Sequence, residues 1–313
     1  MKIRLALGVD IGGTNTVFGV CNSRGDVFFE HSVRTKDFPK PEDLVLKIHE
    51  SLSEAGYLAD IIGIGIGAPN GNYYSGTIEF APNLNWTGVI PLAGLFEKRF
   101  GKPAILTNDA NAAAIGELIY GCAQDLSHFV TITLGTGLGS GVVVNKKLVY
   151  GHDGFAGEYG HIRVVPNGRK CGCGREGCLE TYASATGVVR SIQELDSIHK
   201  ESSSLHNQSI TDAIEVFEHA EQGDPFALEI IDFTAKTLGD SLADFACFSS
   251  PKAYVLFGGI AQSGEKFATK VKVYMEEAML NIYSNKVEIR ISALHDKNAA
   301  VLGASSMVWN DLV

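Results

Sequence analysis

No apolar run in this sequence is long enough to span a bilayer, which sets aside a helical membrane protein. Positive charge is in deficit. There are 26 lysines and arginines against 36 aspartates and glutamates, a formal net charge of −10. A nucleic-acid partner asks for a basic face to neutralise phosphates, so neither nucleic acid nor membrane is expected as a partner. A secretory leader is also missing. The opening stretch carries Lys2 and Arg4, but its apolar run is too short for a signal core and meets Asp10 at once. It reads as a first strand, and the expected location is the cytoplasm. Cysteine is sparse, with six in the chain. Cys21, Cys122 and Cys247 sit singly among apolar neighbours and are expected to be buried core thiols. Cys171, Cys173 and Cys178 are clustered, and in a reducing compartment such a cluster reads as a metal site before it reads as disulfides.

What is present fits an ordinary globular enzyme: 313 residues, 45% apolar and 20% charged, a length comfortable for two lobes. The pattern is α/β. A strand from Ile3 to Val9 is followed by strands at 17–20 and 27–33, with a turn at 22–25. A helix with apolar Leu44, Val45, Ile48 and Leu52 on one side covers 41–55. Then come a buried strand at 61–66, a helix at 90–100, a strand at 104–107 and an Ala-rich helix at 111–120. In such alternating folds ligands sit at the carboxyl ends of strands. The second half repeats the theme. A strand at 129–134 meets a Gly/Thr loop and a hairpin partner at 142–144. Helices follow at 183–195, 211–218 and 225–248, with a polar loop at 200–204. A strand at 253–257, a helix, a strand at 287–291 and an Ala-rich helix at 299–308 complete the chain. The recurrence of strand, Gly/Thr loop and strand suggests duplication of one phosphate-binding lobe.

Three groups of residues carry chemistry. The first is Asp10-Ile11-Gly12-Gly13-Thr14-Asn15-Thr16. Adjacent glycines permit a tight hairpin and let backbone N–H groups approach an anion, while Thr14 and Thr16 offer hydroxyls. Asp10 repels phosphate but suits Mg²⁺ held through water. A lone Gly-Gly-Thr would be an ordinary turn. A second loop at Gly135-Thr136-Gly137 turns the balance toward a clamped polyphosphate. Neither loop has the Walker lysine or the helix that directly follows a dinucleotide fingerprint. The second group is Thr107-Asn108-Asp109-Ala110-Asn111, a carboxylate between a buried strand and a helix. Its plain reading is a helix cap. A carboxylate at a strand's carboxyl end can also take a proton from an alcohol attacking a phosphoryl group. The third group is the most specific: Glu158-Tyr159-Gly160-His161, then Cys171-Gly172-Cys173 and Gly177-Cys178-Leu179-Glu180. One histidine and three cysteines form the tetrahedral set that zinc prefers, with all positions filled by protein, so the ion would be structural. Fixing this loop would aim Glu158, Glu180 and the free edge of His161 at one point, and carboxylates with imidazole suit vicinal sugar hydroxyls.

Taken together, these residues resemble the ROK family (repressors, open reading frames and kinases) of the hexokinase–actin ATPase superfamily. The resemblance covers nearly the whole chain. Its most specific parts are the Gly160-His161 to Glu180 segment and the stretch 134–161, and the glucokinase-like version of the pattern fits best around Asn83 and 108–117. It implies a two-lobed actin-like ATPase (ribonuclease H-like) fold with duplicated βαβ lobes and a cleft between them. The small lobe would be 1–118 plus 298–313. The large lobe would be 119–297, with the zinc loop and dimerisation helices. Asp10, Gly12, Gly13 and Thr14 match the first phosphate motif, Gly135, Thr136 and Gly137 the second, and Gly258 and Gly259 the nucleotide-side motif. Asp109 matches the catalytic base. Asn83, Asn108, Glu158, His161 and Glu180 match sugar-contacting positions, with Gly67 and Ala68 in the nearby substrate loop. His161, Cys171, Cys173 and Cys178 match the zinc ligands. Two departures stand out. Ile260 follows Gly259 where the family often has a third glycine, and Asn70 replaces the glycine of the commoner Gly-Ala-Pro-Gly.

The resemblance implies ATP-dependent phosphorylation of glucose to glucose 6-phosphate in carbohydrate metabolism, with ATP, Mg²⁺ and structural Zn²⁺, by a homodimer. Asp109 would accept the proton as the sugar 6-hydroxyl attacks the γ-phosphorus. The alternatives are another hexose or N-acetylhexosamine (N-acetylglucosamine, N-acetylmannosamine, mannose, allose, fructose) or a sugar-sensing regulator. Regulators of the family place a helix-turn-helix before the first strand, and a strand beginning at Ile3 is expected to leave no room for one.

Overall fold

The computed structural model describes residues 4–207, 210–294 and 299–313. Ile3, the expected start of the first strand, and Asn298, at the expected start of the C-terminal segment, lie outside the described residues. In chain order the strands are β1 (Leu5–Ile11), β2 (Asn15–Cys21), β3 (Val27–Arg34), β4 (Ile61–Gly67), β5 (Gly71–Asn72), β6 (Thr77–Glu79), β7 (Val89–Ile90), β8 (Ala104–Thr107), β9 (His128–Leu134), β10 (Leu138–Val144), β11 (Lys147–Leu148), β12 (Ala253–Phe257) and β13 (Glu288–Ile291). The helices are α1 (Pro41–Glu54), α2 (Leu92–Phe100), α3 (Asp109–Ile119), α4 (Glu180–Ala183), α5 (Ala185–Glu194), α6 (Ser204–Asn207), α7 (Ala213–Glu221), α8 (Pro225–Ser249), α9 (Glu265–Ala278) and α10 (Ala299–Asp311). Among the described residues no helix is long and apolar enough to cross a membrane.

The chain divides into two compact units. The first takes its residues from 1–125, 148–156 and 293–313, the second from 126–147 and 157–292. The first unit is built on a sheet of order β3-β2-β1-β4-β8. The β1–β2 pair is an antiparallel hairpin, while β1, β4 and β8 run parallel. Register places Asp10 beside Gly67 and Gly67 beside Thr107, so three loops leave one edge of the sheet at the same level. Leu44, Ile48 and Leu52 of α1 and Phe96 of α2 are fully buried and pack with the strand residues Leu7, Val9 and Ile64. On α10, backbone meets backbone. A Cβ at Gly8 would lie 2.2 Å from the Val301 carbonyl oxygen, and one at Gly65 would lie 1.8 Å from that of Ala304. Only glycine admits a helix this close to the strands.

The second unit repeats the plan, with sheet order β11-β10-β9-β12-β13. Again a hairpin, β9–β10, adjoins parallel neighbours β12 and β13. The core is formed by strand residues such as Ile132 and Leu256 with Val188 of α5, Val216 of α7, Leu238 of α8 and Val271 of α9. Two sheets of matching order, each with a Gly/Thr hairpin loop in the same place, have the topology expected of a duplicated lobe.

Several local expectations need correction. β1 continues through Asp10 to Ile11, because Asp10 still pairs with Val17 across the hairpin. Ile90 belongs to β7, not to the helix after it, and the sheet β5-β6-β7 was not anticipated. Strands of two or three residues are too short to show periodicity. The helix expected at 183–195 is broken at Ser184, whose Oγ accepts from Gly187 N–H and caps α5. Ser204, expected in a loop, starts α6. Cys21 is buried as expected, but Cys122 is half-buried and Cys247 is exposed. Residues 119–125 and 148–156 group with the first unit. For the latter the reason is side-chain docking. Tyr150 stacks on Tyr73 with ring centroids 3.8 Å apart. Tyr74 Oη donates to the Gly151 carbonyl at 2.9 Å and Asn72 Nδ2 to that of Asp153 at 2.8 Å.

Candidate active site

In the first unit, the three loops at the sheet edge bring together Asp10, Gly67, Ala68, Asn108 and Asp109. A Cβ on Gly67 would stand 3.4 Å from Asp10 Oδ1 and 3.7 Å from the Asp109 Cα, so this glycine keeps the space beside both acids open. Ala68 N–H donates to the Thr107 carbonyl at 3.0 Å, tying the loop after β4 to the strand that delivers Asp109. Asn70, standing where glycine is commoner, has φ +51°. That left-handed conformation is one asparagine tolerates better than other side chains, so the replacement keeps the turn. Asn108 is the cap of α3: its Oδ1 accepts from Asn111 N–H at 2.7 Å. Capping by Asn108 leaves Asp109 as the first helical residue, two positions before the expected helix start. There Asp109 accepts from Ala110 N–H at 2.9 Å and benefits from the positive end of the helix.

The hairpin loop between β1 and β2 is closed by Gly12 N–H donating to the Asn15 carbonyl at 2.9 Å. Neither Gly12 nor Gly13 has positive φ; they are needed for space. A Cβ on Gly13 would lie 2.6 Å from the Asn83 carbonyl oxygen, so the loop packs directly on the loop bearing Asn83. Among the described residues no backbone carbonyl accepts from the N–H of Gly13 or Thr14. Thr14 is exposed, whereas Thr16 is fully buried. Thr16 Oγ1 bonds Thr35 Oγ1 at 2.9 Å, which corrects the expectation that Thr16 offers its hydroxyl to a ligand. The Asn83 loop is itself held from behind, as Trp86 Nε1 donates to the Phe38 carbonyl at 2.9 Å.

Two carboxylates share this edge, and both are harder to ionise than usual. Burial raises the Asp10 carboxyl to about 7, and the charge of Asp109 adds to the rise. Asp109 keeps solvent contact, yet the protein crowded around it pushes its carboxyl upward too, against the pull of the Ala110 N–H. A carboxyl raised toward neutrality is better matched to accepting a proton from an alcohol. Paired acids of this kind also suit a hard cation, whose charge would relieve both.

In the second unit, Gly135, Thr136 and Gly137 form an exposed loop at the end of β9. It is pinned from α5: Ala185 N–H donates to the Gly135 carbonyl at 2.9 Å and Thr186 Oγ1 to that of Thr136 at 2.8 Å. Parallel pairing of β12 with β9 sets Gly258 and Gly259 next to this loop. Gly258 has φ +101°, and a Cβ there would lie 2.8 Å from the Leu134 carbonyl oxygen, so glycine is required. Glu180 opens α4, and its Oε2 would be 2.8 Å from a Cβ on Gly137. Glu158 is exposed and precedes the 3-10 turn Tyr159–His161, which packs on β10 through Gly160.

His161, Cys171, Cys173 and Cys178 converge, their ligand atoms all within 4.8 Å of one another. The Cys173 and Cys178 sulfurs are 3.7 Å apart, and Cys171 Sγ is 3.6 Å from His161 Nδ1. Sulfurs about 2.3 Å from a tetrahedral zinc would be separated by close to this spacing, so the residues fit that metal. Gly177, at φ +79° and pressed on the Val165 carbonyl, lets the loop fold back to place Cys178. Glu180 Oε1 lies 2.9 Å from Cys171 Sγ and 3.5 Å from His161 Nδ1. Glu180 therefore stands between the cysteine cluster and the Gly137 loop.

Arg169 was missed by sequence reasoning. It is 9% exposed, its guanidinium bonds the Thr181 and Gly187 carbonyls and Ser191 Oγ, and it stacks 4.6 Å from the centre of the Tyr182 ring. It joins the cysteine loop to α4 and α5. Its only signal was a cation two residues before a cysteine cluster. Thr35 was missed as well, and nothing in its neighbours marked it.

A model described as "ROK family" matches residues 6–311. A protein named Glucokinase from Halalkalibacterium halodurans is 35% identical over 318 residues, covering 98% of this chain and 96% of that one. A solved structure described as a ROK family glucokinase from Streptomyces griseus in complex with glucose and AMPPNP is similar at a TM-score of 0.80. It is 34% identical, with coverage of 97% and 98%. A protein named Putative xylose repressor from Caldicellulosiruptor sp. is 32% identical over 321 residues, all of this chain but 80% of that one.

Proposed function

The chain belongs to the ROK family, and from that premise we propose that it is an ATP-dependent sugar kinase that converts glucose to glucose 6-phosphate. Its duplicated α/β units give it the actin-like ATPase fold. The observation that carries the reading is the convergence of Asp10, Gly67 and Asp109 at one sheet edge, beside the hairpin loop with the Gly13 and Thr14 N–H groups. The glucokinase relatives, similar over nearly their whole length, support glucose as acceptor.

The proposed roles are as follows. Gly12, Gly13 and Thr14 hold phosphate oxygens through backbone N–H groups and the Thr14 hydroxyl, and Gly135, Thr136 and Gly137 form the corresponding phosphate loop of the second unit. Gly258 and Gly259 lie on the nucleotide side. For sugar hydroxyls the proposed contacts are Asn83 and Asn108 in the first unit, with Gly67 and Ala68 in the neighbouring loop, and Glu158, His161 and Glu180 in the second unit. Asp109 takes the proton from the 6-hydroxyl as it attacks the γ-phosphorus. Such transfers depend mainly on positioning and on neutralising charge. Mg²⁺, when bound, supplies that neutralisation, and Asp10 is the carboxylate placed to hold it through water. Zn²⁺ held by His161, Cys171, Cys173 and Cys178 is structural, keeping Glu180 and His161 in place. The proposed state is a cytoplasmic homodimer with its contacts in the helical second unit, and light scattering tests the dimer.

A coupled ADP-release assay over a panel of hexoses and N-acetylhexosamines tests the reading. Glucose is expected to be turned over best. Turnover confined to another sugar would reassign the substrate. Sugar binding without turnover of any sugar would favour the regulator that the repressor-named relative suggests.

A further inference from the structure

We propose that Thr35 is a positioning residue for the nucleotide: its buried side chain sets the direction of the N–H groups in the Gly12–Thr14 loop. The inference rests on the kinase reading above. Thr35 lies just past β3, is 3% exposed, and touches the β1–β2 hairpin at three points, two of them in the loop. Its Oγ1 donates to the Gly12 carbonyl at 2.7 Å. Its backbone N–H donates to the Thr14 carbonyl at 2.9 Å. Its Oγ1 also meets Thr16 Oγ1 at 2.9 Å. Proton counting orders this chain. Thr35 has one hydroxyl proton, and the Gly12 carbonyl takes it, so Thr16 must be the donor to Thr35.

The consequence follows from peptide planarity. In a trans peptide the carbonyl of one residue and the N–H of the next point in opposite directions. Drawing the Gly12 carbonyl toward Thr35 therefore turns the Gly13 N–H to the other side of the loop. Among the described residues no backbone carbonyl accepts from that N–H. Two glycines in succession would otherwise let this peptide plane rotate at little cost. The hydroxyl of Thr35 removes that freedom before an anion arrives, which is how preorganised donors act on developing or bound negative charge. The fixed backbone bond to Thr14 holds the far side of the loop, so the side chain of Thr35 governs the Gly12–Gly13 peptide alone.

The test compares Thr35→Val, which keeps shape and removes the hydroxyl, with Thr35→Ser, which keeps the hydroxyl. Binding of Mg-AMPPNP and of glucose is measured separately by calorimetry, beside steady-state kinetics. Thr35→Val is expected to weaken Mg-AMPPNP binding and raise KM for ATP by about five- to tenfold, the worth of the one ordinary hydrogen bond from Thr35 to the Gly12 carbonyl that the loop loses. Glucose affinity and kcat at saturating ATP should hold within about twofold. Thr35→Ser should stay within about twofold of the parent throughout. Unchanged AMPPNP affinity in Thr35→Val, or an equal loss in a Thr35→Ser protein whose circular dichroism and melting match the parent, overturns the proposal. If the parent protein binds neither AMPPNP nor ATP, it is the kinase reading that fails.

Discussion

Replacing Asp10 by asparagine should stabilise the ligand-free protein, and the gain should grow with pH. In the folded chain burial and the Asp109 charge hold this carboxyl at about 7, against 3.8 when unperturbed. Between those values the folded state binds more protons than the unfolded one, so stability falls as pH rises across this window. Above pH 7 the full cost is present. The gap corresponds to about 4 kcal/mol at complete ionisation, and to between about 1 and 2 kcal/mol at pH 5. The asparagine amide resembles the neutral acid and escapes the cost at every pH. Each kcal/mol shifts the melting temperature of a unit this size by roughly 2–4 °C. Asp10→Asn is therefore expected to melt about 10 °C above the parent at pH 8 and by less than half that margin at pH 5. Both proteins would be scanned calorimetrically in chelator without nucleotide, since a bound cation would itself relieve Asp10. A margin independent of pH, or a lower melting temperature for Asp10→Asn at pH 8, would refute the assignment of a strained, ionised Asp10. The same variant should bind Mg-ATP more weakly, which would identify the strain as serving the site.

Other expectations follow from the same geometry. Asp109→Asn keeps the shape of the first turn of α3 and should lower kcat by about 10²- to 10⁴-fold with glucose affinity retained, read by calorimetry and the coupled assay. Gly13→Ala places a methyl 2.6 Å from the Asn83 carbonyl oxygen and should raise KM for both ATP and glucose, because the two loops must part. Cys178→Ser should lower zinc content below one per chain by elemental analysis and raise KM for glucose more than KM for ATP, since Glu180 and His161 adjoin the cluster.

Much of the site was legible in the residues. The His161 to Cys178 group was readable because metal ligation demands particular side chains at close spacing, and such types are rare by chance. Both Gly/Thr loops were readable because glycine next to a strand end is a strong local signal. Asp109 was ambiguous between cap and base, and the capping bond from Asn111 N–H to Asn108 shows only that Asn108, not Asp109, is the cap of α3. Thr16 was misread. Alternation along β2 turns it inward, where its hydroxyl is committed to Thr35. Thr35 gave no signal and Arg169 only its place two residues before the cysteine cluster, since their roles lie in contacts 12 to 23 residues away in sequence.

By itself the sequence determined the chemistry available: two acids, two glycine loops, a cysteine–histidine cluster and a duplicated strand pattern, each dictated by local residue type and spacing. The tertiary structure decided which of these meet. Parallel register set Asp10, Gly67 and Thr107 level at one edge, and the glycines at 8 and 65 let α10 lie directly against the strands that carry them. That same packing crowds Asp10 and Asp109 and raises both carboxyls. Hydration and the distance between charges are properties of folded neighbours, and no residue carries them alone.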